Sequence, residues 1–152
     1  MRRLYGRIGF EALAVSVLLA GCAANLKIAA RDALPVAALS GPPAYTVFFD
    51  LNSDEITANA MTILDRAVTD YRQLAGVRLV VAGHADRSGS ERHNRGLSRR
   101  RAAAVRDHLI NAGVAPDTIQ VEAYGERQGL VSTADGAVES QNRRVELFVR
   151  PN

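Results

Sequence analysis

"GHADRSGSERHNRGLSRRRAAAV", residues 83–105, is the stretch on which the fold turns. A strand-like apolar run (Val77, Leu79, Val80, Val81) leads into it and delivers His84 and Asp86 to a Gly/Ser turn. A helix then runs from about Ser90 to Asn111 and stops at Gly113, with arginines crowded into its first turns. Ser88, with Glu91 three residues on, has the spacing of a capping box at its start.

Working outward, "YTVFFDL" (Tyr45–Leu51) has the β-branched and aromatic bias of a strand. Thr57–Leu74 carries apolar residues at Ala60, Ile63, Leu64, Ala67, Val68, Tyr71 and Leu74, a helical period that Gly76 ends. "VRLVVAG" is the second strand, and "TIQVEAYG" and "RRVELFVR" are two more, joined by a polar Gly-rich loop. The order β-α-β-α-β-β predicts an α/β sandwich with both helices packed on one face of one sheet.

The N-terminus changes the meaning of the charge. Arg2, Arg3 and Arg7 precede a nine-residue apolar run, Ala12–Ala20, too short for a stable membrane span. With "LAGC" (Leu19–Cys22) after it, the segment reads as a signal peptide, despite Glu11 at the edge of the apolar run. Cys22 is the only cysteine, so no intramolecular disulfide can form, and "LAGC" resembles the bacterial lipobox, in which the cysteine is acylated. The expected organisation is a leader over 1–21, a lipidated Cys22 with an Ala- and Pro-containing tether over 22–43, and one domain over 44–152. Ala23 rather than Asp after the cysteine points to the outer membrane. Losing the leader lowers the formal charge from +3 to +1, so bulk electrostatics argue against nucleic acid.

On the second helix Leu97, Arg101, Val105 and Leu109 lie four apart on one face, and Asn94 lies two turns before Arg101. Arg101 therefore shares the inward face, while Arg92, Arg95, Arg99, Arg100 and Arg106 fall mostly elsewhere. A buried guanidinium needs a partner, and Asp86 is the nearest candidate in sequence. Two readings stand on spacing alone: an ion pair that pins the loop to the helix, or a site of separated charges suited to a zwitterion.

The quoted stretch, with "VFFDLNSDEI" (Val47–Ile56), "GV" at Gly113 and Val114, "YGE" at Tyr124–Glu126 and "NRRVEL" at Asn142–Leu147, resembles the OmpA-like C-terminal domain family. That family's pattern runs G-H-T-D-x-x-G, then N-x-x-L-S-x-x-R-A-x-x-V, and ends N-R-R-V-E. Joined to a lipobox, the whole is similar to the peptidoglycan-associated lipoprotein type. The resemblance implies non-covalent peptidoglycan binding through the diaminopimelate of the stem peptide. It assigns the ammonium to Asp86 and the carboxylate to Arg101, with Asn94 and Leu97 lining the pocket, Asn52 as a side-chain contact and Arg143 closing the site. It further implies an outer-membrane, lipid-anchored protein whose domain faces the periplasm and tethers that membrane to the wall. Tol-type or other envelope proteins are candidate partners. An alternative is an OmpA-like module acting mainly as a protein-interaction subunit of an envelope or secretion complex. Three positions depart from the pattern: Ala85 for Thr, His93 for Tyr, and Gly129 for Pro.

Rival chemistries are weaker. His84, Asp86, His93 and His108 lack metal-ligand spacing on the helix, although His84 and Asp86 would share a side of a strand. Ser88, Ser90 or Ser98 with His84 and Asp86 lack a nucleophile elbow. The "RRR" run (Arg99–Arg101) has no aromatic stacking platform. A flagellar-type stator would require a true membrane span. No enzyme activity, cofactor or metal is expected.

Overall fold

The computed structural model describes residues 44–152. The expected leader, Cys22 and the tether lie outside the described residues. The elements run β1 (Tyr45–Phe48), α1 (Ala58–Tyr71), β2 (Val77–His84), α2 (Glu91–Asn111), β3 (Ile119–Gly125) and β4 (Arg144–Pro151). They form one four-stranded sheet in the order β1-β4-β2-β3. β4 pairs antiparallel with β1 and β2, and β2 pairs parallel with β3 across the α2 crossover. Among the described residues no helix is long and apolar enough to cross a membrane.

Strand alternation sorts the two faces. Val47, Leu79, Val81, Val145 and Leu147 point to one side and bury against Leu64, Val68, Ala102, Val105 and Leu109 of the helices. Val80, Ala82 and Phe148 point to the other, where Tyr124 packs on them. Both helices therefore lie on one face, as the element order predicts.

Gly83 lets α2 settle on β2. A Cβ there would stand 2.1 Å from the Ser98 backbone oxygen, so only glycine allows this approach. At the far end of α2, Gly113 (φ 93°) donates to Ile110 O at 2.8 Å and Val114 N–H to Leu109 O at 3.0 Å, a Schellman cap. Val114, buried, returns the chain to the core.

Three local expectations need correction. β1 ends at Phe48, not Leu51, because Asp50–Ser53 closes a turn (Ser53 N–H to Asp50 O, 3.3 Å) with Asn52 at φ 51°. α1 ends at Tyr71 rather than Leu74, and Gly76 (φ 67°) lies beyond it, where its carbonyl accepts from Asn152 N–H at 2.9 Å. Ser90, not Ser88, caps α2, accepting from His93 N–H at 3.3 Å. Ser88 is diverted because the buried Asp86 takes its hydroxyl at 2.6 Å, and Glu91 turns instead to Arg127 at 2.5 Å.

Candidate functional site

The start of α2, the turn after β2, the Asp50–Ser53 turn and the loop before β4 meet at one end of the sheet. Between them opens a cleft of about 600 Å³, lined by Asn52, Ser88, His93, Asn94 and Leu97, with Leu51 and Val138 exposed on its rim. Gly89 forms part of its wall without a side chain; a Cβ would come within 3.0 Å of Asn94 Oδ1 and His93 Cδ2.

Asn94 and Leu97 are both on the wall of this cleft. Asn94 is also a structural tie, its Nδ2 donating to Glu126 Oε2 at 2.6 Å and to Gly89 O at 3.3 Å. Asn52, with the left-handed φ that asparagine tolerates, sits on the cleft rim opposite His93. His93 Nε2 donates to Asn52 Oδ1 at 2.9 Å, a bridge from α2 to the β1–α1 turn. Spacing did not reveal it, since the two residues are 41 positions apart.

Asp86 and Arg101 do not line the cleft: they are buried, 2% and 0% exposed, Asp86 bonded to Ser88 of the lining and Arg101 one helical turn after Leu97. They do not form the ion pair that their proximity in sequence suggested. Arg101 instead spends its fork on backbone carbonyls: Nε donates to Ser53 O (2.8 Å), Nη1 to His84 O (3.1 Å) and Nη2 to Asp50 O (2.9 Å). Its guanidinium also stands 5.3 Å from the centroid of Phe49. Burial pulls its pKa down to about 10, with the Asp86 charge opposing, so it stays protonated at neutral pH.

Asp86 is paired with Arg143 (Nη1 to Oδ2, 3.2 Å). It also accepts from Ser88 Oγ at 2.6 Å, Ser88 N–H at 3.3 Å and Glu139 N–H at 3.2 Å. Burial pushes this carboxyl up, but the Ser88, Glu139 and Arg143 donors outweigh it, and the pKa lies below the ordinary Asp value. Arg143 completes the link, its Nε donating to Phe49 O at 3.1 Å. Asn142 beside it holds the loop that contains Gly129, donating to Val131 O at 2.8 Å and accepting from Val131 N–H at 2.9 Å.

The rival constellations come apart here. β2 ends at His84, so the strand alternation that would put His84 and Asp86 on one side does not reach Asp86. The His84 ring stacks on Tyr124 at 5.4 Å, with Nε2 3.5 Å from Glu146 Oε2, while Asp86 faces Ser88 and Arg143. Among the described residues no group of three His, Cys, Asp or Glu side chains is placed to hold a metal. Arg92, Arg95, Arg99 and Arg100 are exposed, as the helical period predicts.

The OmpA family model matches residues 48–143. The chain is 40% identical over 98 residues to a peptidoglycan-associated lipoprotein of Mesorhizobium japonicum, covering 64% of this chain and 58% of that protein's length. It is 33% identical over 144 residues to a peptidoglycan-associated lipoprotein of Rhizobium meliloti, covering 88% of this chain and 82% of the relative. The crystal structure of the peptidoglycan-associated lipoprotein from Burkholderia pseudomallei superposes with a TM-score of 0.64 at 25% identity, over 69% of this chain and 89% of that one.

Proposed function

The chain belongs to the OmpA family, and on that premise we propose that it binds peptidoglycan non-covalently through the diaminopimelate of the stem peptide. Lipid on Cys22 would hold it in the outer membrane with the domain facing the periplasm, so that one molecule tethers membrane to wall. The relatives named as peptidoglycan-associated lipoproteins support this reading.

The observation that carries it is a cleft at the family's motif positions, with two opposite charges, Asp86 and Arg101, buried next to residues that line it. The free end of diaminopimelate carries one ammonium and one carboxylate. Its ammonium is directed toward Asp86, and its carboxylate toward the guanidinium of Arg101, which has five N–H donors and spends three on the backbone. Arg101 is fully buried, so direct contact requires the Asp50–Ser53 turn to shift. Asn52, Asn94 and Leu97 line the approach, and Arg143 fixes Asp86. No bond is made or broken; the protein holds and releases.

The test is sedimentation of the protein with purified peptidoglycan, in competition with two soluble stem peptides. One carries meso-diaminopimelate and the other lysine, which lacks the distal carboxylate. The diaminopimelate peptide should compete about 10- to 100-fold better, the worth of one charge-assisted contact. Equal competition would refute the zwitterion geometry. No binding to peptidoglycan at all would favour a protein-interaction subunit instead.

A further inference from the structure

Among the described residues on the wall of the cleft, His93 is the one ionisable side chain; the rest are apolar residues, glycines, serines and asparagines. Histidine is the side chain that ordinarily changes charge between pH 5 and 8. Position 93 is also one at which the chain departs from the family's pattern, with histidine in place of tyrosine. The other two histidines stand elsewhere. His84 is buried against Tyr124, and His108 meets Asp65 at the far end of α2, Nε2 to Oδ1 at 2.9 Å.

An amide oxygen only accepts, so the 2.9 Å contact of His93 Nε2 with Asn52 Oδ1 places a hydrogen on Nε2 and leaves Nδ1 to take a second proton. The bridge therefore survives protonation. What changes is the charge: a cation with a new N–H donor appears on a wall that otherwise carries none. Its place in the site gives that charge a use. Asn52 sits between Asp50 and Ser53, whose carbonyls Arg101 holds at 2.9 and 2.8 Å. The turn that covers Arg101 is thus latched from outside by His93, and a carboxylate directed toward Arg101 reaches that latch first.

The charged groups on the surrounding elements leave this effect unmasked. On α2, Glu91 is shared by Arg95 at 3.4 Å and Arg127 at 2.5 Å, and Arg100 meets Asp54 of the β1–α1 segment at 3.4 Å. Arg92 and Asp50 are exposed and do not line the cleft. After β2, Asp86 is buried on Arg143 at 3.2 Å and Arg87 meets Asp135 at 3.0 Å. Before β4, the Glu139 carboxylate accepts from Gln141 N–H at 2.9 Å. Resting on the wall-binding reading above, we propose that His93 is a specificity-determining residue whose protonation supplies a contact to the distal carboxylate of diaminopimelate, so that the protein grips the wall more tightly as the pH falls.

The full-length protein, solubilised in detergent, is titrated calorimetrically at about pH 8 and about pH 5 with an N-acetylated stem tripeptide that ends in meso-diaminopimelate. Acetylation removes the α-amino group that would itself titrate in this range. The wild type should bind about fivefold more tightly at the lower pH, the upper end of what one exposed ion contact is worth. His93→Gln and His93→Tyr, both at an exposed position, should show no rise, their affinities at the two pH values agreeing within about twofold. His108→Gln, four turns away on the same helix, should keep the rise. The tripeptide that ends in lysine, without the distal carboxylate, should bind the wild type with no such rise. Wild-type affinity that is flat or falls with acid overturns the role of His93 while leaving the cleft assignment standing. A rise that persists in His93→Gln, or that is equal for the lysine peptide, also overturns it. A wild type that binds the diaminopimelate peptide at neither pH refutes the wall-binding reading, and the role of His93 falls with it.

Discussion

Replacing Arg101 by alanine should damage the fold before it touches any ligand. The side chain is fully buried and donates to the carbonyls of Asp50, Ser53 and His84, which join the β1–α1 turn to the end of β2. Removing it takes a donor from three carbonyls, of which Asp50 O keeps the Ser53 N–H, and each one left dry and unpaired costs about 1–3 kcal/mol; it also strips Asp86 of a nearby positive charge. Some of these groups will find water in the space vacated, so the net loss should be on the order of 3–5 kcal/mol, as for broken buried ion pairs. For a domain of about 100 residues, each kcal/mol moves Tm by about 4–8 °C, so Tm should fall by roughly 12 °C or more. Arg101→Lys keeps the charge but not the planar three-way fork, and should recover only part of the loss. Arg99→Ala and Arg100→Ala, both exposed, should stay within about 0.5 kcal/mol of wild type. Thermal and urea melts followed by circular dichroism decide the matter. An Arg101→Ala protein melting within about 3 °C of wild type would refute the claim that these carbonyl contacts hold the turn.

Gly83→Ala should cost about 3 kcal/mol or more, because the new methyl would meet the Ser98 carbonyl of α2; an unchanged urea midpoint would contradict this packing. Burial pushes the Glu146 carboxyl up, but contacts from His84 and Arg144 outweigh it and hold the pKa at about 2, against 4.5 ordinarily. Because the folded value is the lower one, this stabilisation is complete above pH ~4.5 and fades as pH falls toward 2, a loss on the order of 2–3 kcal/mol. Glu146→Gln should flatten that decline in urea midpoints measured from pH 6 to 2.5, and parallel curves would count against it. Cys22→Ser should abolish incorporation of labelled palmitate, and label retained in that variant would exclude lipidation at Cys22.

Much of the fold was legible along the chain because periodicity is a local property. The four-residue spacing of Leu97, Arg101, Val105 and Leu109 placed Arg101 on the buried face, and the exposed arginines of the same helix followed from the same period. Asn94 and Leu97, which the family resemblance marks, stand on the wall of the cleft. Pairing was not legible. Every residue carries a carbonyl, so nothing in the sequence marks Asp50, Ser53 and His84 as the acceptors Arg101 takes; only the closing of the sheet brings carbonyls 48 and 51 residues away within reach. Asp86 went to Arg143, 57 residues on, because β4 runs back beside β2 and sets the arginine just before it against the turn. Once that carboxylate was buried it required donors, and it drew Ser88 away from the helix cap its spacing had suggested. The His93–Asn52 bridge has the same origin, in surfaces that face each other only after both turns have packed against α2.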